Sequence, residues 1–397
     1  MSGAHSRGAP RAIAVFAHDA HESTVRKRVS AFQACGWSVD GFTFTRVRPP
    51  QAGPAPAPFW RDVPLGATRD RNYAARLPRL AAALPRILRH RRALRKAHAL
   101  YARNIDMLVL AAAAKALTGA RGRLVYEVLD VQRPFLARGP SGALLRFAER
   151  RLLARSGLLV VSAPDFIERY FVPVQRYRGP WFLLENKIDA GRLARAPSRS
   201  PPGAVSPSLE GPLVLGWFGV LRCARSLALL DRIAERLGER VRVVLRGRVS
   251  PEDIPPEKLE AVLARRPNIV HGGPYANPDD LAALYGGVHL AWAVDYTDAG
   301  TNSDWLLPNR LYEGGYYGAP AIARARTAAG RKVEALGLGV ALPEPLEEEA
   351  CAYLVGCDLR DLARRRAEIL ALPASLFVDE TDTAALLERI APGARQA

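Results

Sequence analysis

A two-domain α/β fold is encoded in this chain of 397 residues. Three observations predict it. The length exceeds what one hydrophobic core normally serves. Short apolar runs alternate with helical patterns from Arg11, and the alternation restarts at Leu213. Between the two halves, Ala190–Pro212 is dense in Pro, Ser and Gly, the composition of a linker.

The composition is ordinary for a globular protein, 49% apolar and 24% charged. No run of about 18 apolar residues is present, so no membrane span is expected. MSGAHSRGAPR has no apolar segment of the signal-peptide kind. Four cysteines without a C-x-x-C pair suggest reduced thiols and a cytosolic chain, not a zinc site or disulfide framework. The net charge of +18 is unevenly spread. Residues 1–190 hold 32 Lys and Arg against 13 Asp and Glu, and the remainder is close to neutral. A basic first half favours an anionic membrane, nucleic acid or anionic substrate, although Arg-rich composition alone is the plainer explanation.

Arg11–Ala17 reads as a buried parallel strand ending at His18-Asp19. A helix over Glu22–Cys35 and a strand over Trp37–Thr45 complete a βαβ opening. No G-x-G-x-x-G follows the first strand, which argues against a dinucleotide fingerprint. His18, Asp19 and Arg26 lie at or just after the strand's C-terminal end, where open α/β sheets bind ligands; helix capping is the alternative. Residues 46–66, rich in Pro and Gly, read as a surface loop. From Arg69 to His98, Leu77, Leu80, Leu84, Ile87, Leu88 and Leu94 recur at roughly helical spacing among Arg and Lys. Pro78 and Pro85 divide this stretch into two short helices. Such a stripe suits an anionic membrane surface or the domain's own core.

Strand Ala99–Arg103, helix Met107–Leu117 and strand Arg123–Val128 follow, and Asp130 projects just beyond the last. A carboxylate there can take the proton of an attacking hydroxyl, or merely cap the next segment or pair with Arg133. Helix Leu144–Arg155, strand Gly157–Ser162, helix Asp165–Phe171 and strand Trp181–Leu184 close the first half. In the second, strand Leu213–Phe218 leads through Gly219, Arg222 and Arg225 into helix Leu227–Leu237. Two arginines in a strand-to-helix turn can neutralise two phosphate charges. Strands follow at Val241–Leu245 and Asn268–His271. Tyr275 then stands where it can stack on a base or simply pack.

The polar segment after Val288–Val294 leads to Pro308-Asn309, which opens a helix from Arg310 to Tyr317. Unpaired N–H groups at its start attract anions. Arg310 in the first turn suits phosphate, and Glu313, one turn on, suits a ribose diol. Helices Pro345–Gly356 and Leu359–Leu372 follow, and Asp379–Ile390 is expected to pack back on the first domain.

PNRLYEGGYYGAP resembles the donor-binding helix of GT-B-type glycosyltransferases. AHDAHESTVRKR, LVYEVLD and GWFGVLRCARSL are similar to runs in the bacterial exopolysaccharide, succinoglycan-type members, and ENKID resembles the crossover that ends the first domain in many GT-B enzymes. The resemblance implies two Rossmann-like domains, 1–189 and 213–378, facing each other across a cleft, with 190–212 as linker. It implies an acceptor site at His18, Asp19 and Arg26 and a catalytic base at Asp130. Gly219, Arg222, Arg225, Tyr275, Asn309, Arg310 and Glu313 would hold the donor. The substrates would be a nucleotide sugar, expected to be a UDP-sugar, and a lipid-linked oligosaccharide at the inner face of the cytoplasmic membrane. The retaining members often carry a second Glu that here is Trp305, so stereochemistry stays open. With no D-x-D in the chain, no metal is expected. Two other functions fit the sequence less well: nucleic-acid binding by the basic half, for which the chain lacks interleaved aromatics and a recognised motif, and a catalytically silent scaffold of the same fold.

Overall fold

The computed structural model describes residues 11–46, 57–68, 76–193, 199 and 206–392. By its internal contacts the chain divides into Met1–Leu184 with Thr381–Ala397, and Glu185–Glu380.

The first unit runs β1 (Ala12–Ala17), α1 (Ser23–Ala34), β2 (Ser38–Arg46), β3 (Arg61–Thr68), α2 (Arg76–Arg89), α3 (Arg91–Lys96), β4 (Ala99–Arg103) and α4 (Ile105–Thr118). It continues with β5 (Arg123–Val128), α5 (Arg133–Leu136), α6 (Pro140–Leu153), β6 (Leu158–Val161), α7 (Pro164–Phe166) and β7 (Trp181–Leu183). All seven strands are parallel, in the order β3-β2-β1-β4-β5-β6-β7. Apolar runs such as IAVFA and LLVV suit strands covered on both faces. Ile13, Val15, Phe32, Tyr101 and Val160 share one core cluster with Leu386, Leu387 and Ile390 from the last helix.

Two expectations need correction. The loop at 46–66 contains a strand: β3 pairs in parallel with β2 from Asp40↔Arg61. Its Pro64 is tolerated because β3 is an edge strand, and Val63 and Leu65 are buried. Residues 47–56 of that loop lie outside the described residues. The basic stretch is not divided at its prolines. Helix α2 runs through Pro85, and the break comes at His90. Pro78 sits in the first turn, where no intrahelical N–H is needed, and Pro85 lies on an exposed face. Leu80, Ala83, Ile87 and Leu94 are buried, so the stripe serves the core. Residues 69–75 and the side chain of Leu77 lie outside the described residues.

The second unit begins with β8 (Ile188–Asp189) and α8 (Ala190–Leu193), then β9 (Leu213–Phe218), α9 (Ala224–Leu237), β10 (Val241–Arg246), α10 (Pro256–Arg265), β11 (Ile269–His271), α11 (Leu281–Gly286) and β12 (Leu290–Trp292). It continues with α12 (Asn302–Trp305), α13 (Asn309–Tyr316), β13 (Ala321–Arg324), α14 (Ala328–Ala335), β14 (Gly339–Leu342), α15 (Leu346–Gly356), α16 (Leu359–Ala371) and β15 (Val378–Asp379). Its six-stranded parallel sheet has the order β11-β10-β9-β12-β13-β14, and β8 pairs with β15. Glu185–Asp189, expected in the first domain, therefore belong to the second unit. Of the expected linker, residues 194–198 and 200–205 lie outside the described residues. Arg199 within it donates to the carbonyls of Tyr316, Leu372 and Ile369 at 2.6, 2.8 and 2.9 Å. The final helix, α17 (Asp382–Ile390), belongs to the first unit.

Candidate functional site

In each sheet the strand order reverses direction once, and open α/β sheets bind ligands beyond the strand C-termini at such a reversal. In the second unit it falls between β9 and β12. The loop leaving β9 starts at Gly219 (φ 113°) and runs beside the end of β10. The Gly219 N–H donates to Arg246 O at 3.0 Å. Gly247 has to be glycine there, because a Cβ would lie 1.7 Å from Gly219 O. Cys223 then caps α9, its Sγ accepting from the Ser226 N–H at 3.3 Å and from the Tyr296 N–H at 3.2 Å. Ser226 Oγ donates to Val294 O at 3.2 Å. The β9 loop is thus stitched to the β12 loop, across the reversal.

Arg222 is exposed on this edge. Arg225 is also exposed, but its guanidinium lies 3.9 Å from the Tyr296 ring centroid and 3.5 Å from Glu344 Oε2. Arg310, in the first turn of α13, donates through Nη1 to Trp292 O at 3.1 Å, which puts it at the end of β12. Asn309 accepts from Asn186 Nδ2 at 2.6 Å. Glu313 is buried on α13 and accepts from Asn277 Nδ2 at 2.9 Å and the Tyr285 hydroxyl at 3.0 Å. Tyr275 is half-buried against the cluster of Phe218, Leu281 and Tyr285. Burial raises its pKa, and the nearby Glu313 charge raises it further.

The structure therefore brings Tyr275, Arg310 and Glu313 into one group and ties Arg225 into a second. The second group centres on Arg324, at the end of β13, which sequence reasoning missed. Arg324 donates to Asp295 O at 3.1 Å and Asp304 Oδ1 at 2.7 Å, and its guanidinium lies 4.0 Å from the Tyr296 ring centroid. With Asp295, Ser303 and Thr327 it lines a hollow of about 230 Å³, open solvent included. The signal was an Arg closing the apolar run AIA, a strand-end position like those of Asp130 and Arg246. Burial opposes ionisation of Glu344. Bonds from the Tyr296 hydroxyl and the Leu346 N–H, with the charges of Arg225 and Arg324, outweigh it and lower its pKa. The pKa of Asp295 is lowered likewise: burial is overcome by Thr297, Arg310 and Ser303.

In the first unit the reversal falls between β1 and β4. His18, just past β1, is buried with Nε2 3.6 Å from Asp106 Oδ2 at the start of α4. Asp19 is buried and accepts the His21 N–H at 3.0 Å, a turn-capping contact. Arg26 projects from α1, donating to Ala57 O at 3.1 Å with its guanidinium 4.9 Å from the Phe59 ring centroid. Asp130 is exposed two residues past β5 and lines a hollow of about 240 Å³, open solvent included, with Asn104, Gln132 and Glu149. Asn104, just past β4, has φ 70° and ψ 166°, backbone that only glycine adopts without strain.

Beneath this edge lies an ion triad that the sequence did not disclose. Glu127 accepts from Arg28 Nη2 at 2.9 Å and Arg103 Nε at 2.6 Å, and all three are buried. Burial opposes its charge, but the two arginines prevail and lower its pKa. The triad fixes the ends of β4 and β5, from which Asn104 and Asp130 emerge.

Comparison with known proteins decides the family. The chain is 36% identical over 389 residues to the succinoglycan biosynthesis protein ExoL of Rhizobium meliloti, covering 96% of this chain and 93% of that protein. The chain belongs to the ExoL family of succinoglycan biosynthesis proteins. No family model matches it. Its structure is similar to sucrose-phosphate synthase from Thermosynechococcus elongatus, with a TM-score of 0.70 and 15% identity over 96% of this chain and 98% of that one. It is also similar to Anabaena HepE in complex with UDP and glucose, with a TM-score of 0.67 and 15% identity over 95% and 99% of the two chains. The fold of this ExoL-family chain is that of the GT-B glycosyltransferases. No described helix is long and apolar enough to cross a membrane.

Proposed function

We propose that this ExoL-family protein transfers a glycosyl unit from a nucleotide sugar to a hydroxyl of a lipid-linked oligosaccharide during surface polysaccharide synthesis. The observation that carries the reading is the grouping of Arg310, Glu313 and the α13 N-terminus beside the β9 loop, at the strand reversal of the second unit. A helix start and guanidinium groups suit a diphosphate, and a buried carboxylate suits a ribose diol. HepE, which has the same fold, has been crystallised with UDP, and this supports a UDP-sugar as donor.

Breaking the glycosidic bond leaves negative charge on the departing diphosphate. Fixed cations aimed at it stabilise the transition state more than the ground state. Arg310 and Arg222 supply that charge, so the reaction proceeds without a metal. Asp130 takes the proton from the acceptor hydroxyl as it attacks, while His18 and Asp19 line the acceptor side of the same sheet edge. The enzyme works in the cytoplasm against the inner face of the membrane, where its basic first half meets anionic lipid.

The test is a thermal-shift screen of UDP-, GDP-, dTDP- and ADP-sugars, since a ligand of the native state raises the midpoint. One nucleotide sugar should do so, and transfer to a lipid-linked acceptor should survive EDTA. No shift with any donor, or activity lost to EDTA and restored by manganese, would contradict the respective parts.

A further inference from the structure

Among the described residues, the large apolar side chains that the first unit leaves in water do not lie on α2 or α3, where Leu80, Ala83, Ile87 and Leu94 are buried. Apart from Phe59, Val109, Leu117 and Trp181 elsewhere in the unit, the described ones fall on α6 and on residues 172–174. Leu144 and Phe147 are 68% and 50% exposed and one helical turn apart. Arg151, one turn further, holds its guanidinium 5.0 Å from the Phe147 ring centroid. Val172 and Val174 are exposed as well. Arg150 joins helix to turn, donating to the carbonyls of Gln175 and Val174 at 3.2 and 3.3 Å. Underneath, Glu149 accepts from the hydroxyls of Tyr126 and Tyr170 and from the Gln175 amide, so helix and turn form one surface.

The charge on this surface is predominantly positive. Residues 141–155 and 172–178 expose Arg150, Arg151, Arg155, Arg176 and Arg178, their single acid, Glu149, is buried, and Glu168, one turn before Val172, is the exposed acid beside them. Scattered exposed apolar residues need no explanation, but a cluster of them set among five exposed arginines does. Aromatic and aliphatic side chains enter the boundary of the acyl region while arginines neutralise lipid phosphates.

We propose that the face made by α6 and residues 172–178 docks on an anionic phospholipid bilayer; this rests on the reading of the protein as a transferase that works at a lipid surface. The full-length protein is tested by co-sedimentation with phosphatidylcholine vesicles, with and without about 30% phosphatidylglycerol. It should sediment with the anionic vesicles only, and less so as salt rises. Replacing Leu144→Gln and Phe147→Gln together should lower partitioning at least about tenfold. Arg91→Gln with Arg92→Gln on α3 should change it by less. Unchanged partitioning of the α6 pair, or a larger loss from the α3 pair, overturns the proposal, as does failure of the parent to bind anionic vesicles. Nucleotide-sugar binding, measured on the same preparations, confirms that the variants are folded. It also separates the two ideas, since vesicle binding without any nucleotide-sugar binding would leave the docking face standing and remove the transferase.

Discussion

Replacing Glu127 with Gln keeps the shape of the buried triad and removes its only negative charge. The Arg28 and Arg103 side chains are 4% and 5% exposed, so neither guanidinium gains water in exchange. Breaking a buried pair from one side costs roughly 3–5 kcal/mol. For a unit of this size, each kcal/mol moves the midpoint about 2–4 °C, so calorimetry should show a fall on the order of 6–20 °C. The pH dependence has a definite sign. The folded pKa of Glu127 is lowered. Its contribution is therefore present above the unfolded value of about 4.3 and is lost as pH falls through the folded value. The gap between parent and Glu127→Gln should narrow in acid. Combining Glu127→Leu with Arg28→Met and Arg103→Met should recover part of the loss, because the charges of the triad go together while Glu22 loses the attraction of Arg103. A loss below about 1 kcal/mol, the size of a surface ion pair, would show that the two arginines are not held by Glu127 as a buried charge.

Four further outcomes are expected. Asp130→Asn should lower kcat about 10²- to 10⁴-fold while donor affinity, measured by calorimetric titration, stays near parental. Arg310→Met should weaken donor binding by about 1.5–3 kcal/mol, roughly 10- to 150-fold in Kd, with little change in midpoint. Asn104→Gly should raise the midpoint, since it relieves about 1–3 kcal/mol of backbone strain; a fall would show that the Asn side chain matters more than the strain. The pKa of Glu149 is raised by burial. Its stabilising share is therefore present below about pH 4.3 and lost as pH rises through the folded value. In melts across that range, Glu149→Gln should gain on the parent toward neutral pH.

Much of the fold was legible because buried parallel strands announce themselves as short apolar runs with polar residues at their ends. IAVFA, LVYEV and LVLGWF fall within a residue of where they were expected. Strand β3 was hidden because Pro64 and Gly66 masked the alternation of Val63 and Leu65, and an edge strand tolerates both. The leucine stripe of α2 was visible, but its destination was not. A stripe has the same period whether it meets a core or a bilayer, and only burial separates the two. In the site, the helix start with Arg310 and Glu313 was legible from local spacing. The partners of Glu313, Asn277 and Tyr285, come from elements far along the chain. The same limit hid Arg324 and the Arg28–Glu127–Arg103 triad, whose members are joined only by the sheet.

A nucleotide sugar bound at the strand reversal of the second unit would be seen residue by residue in hydrogen exchange with and without UDP-glucose. Slower exchange should appear in the β9 loop over 219–226 and in the first turn of α13. Protection confined to the first unit, or none in either segment at saturating ligand, would contradict it.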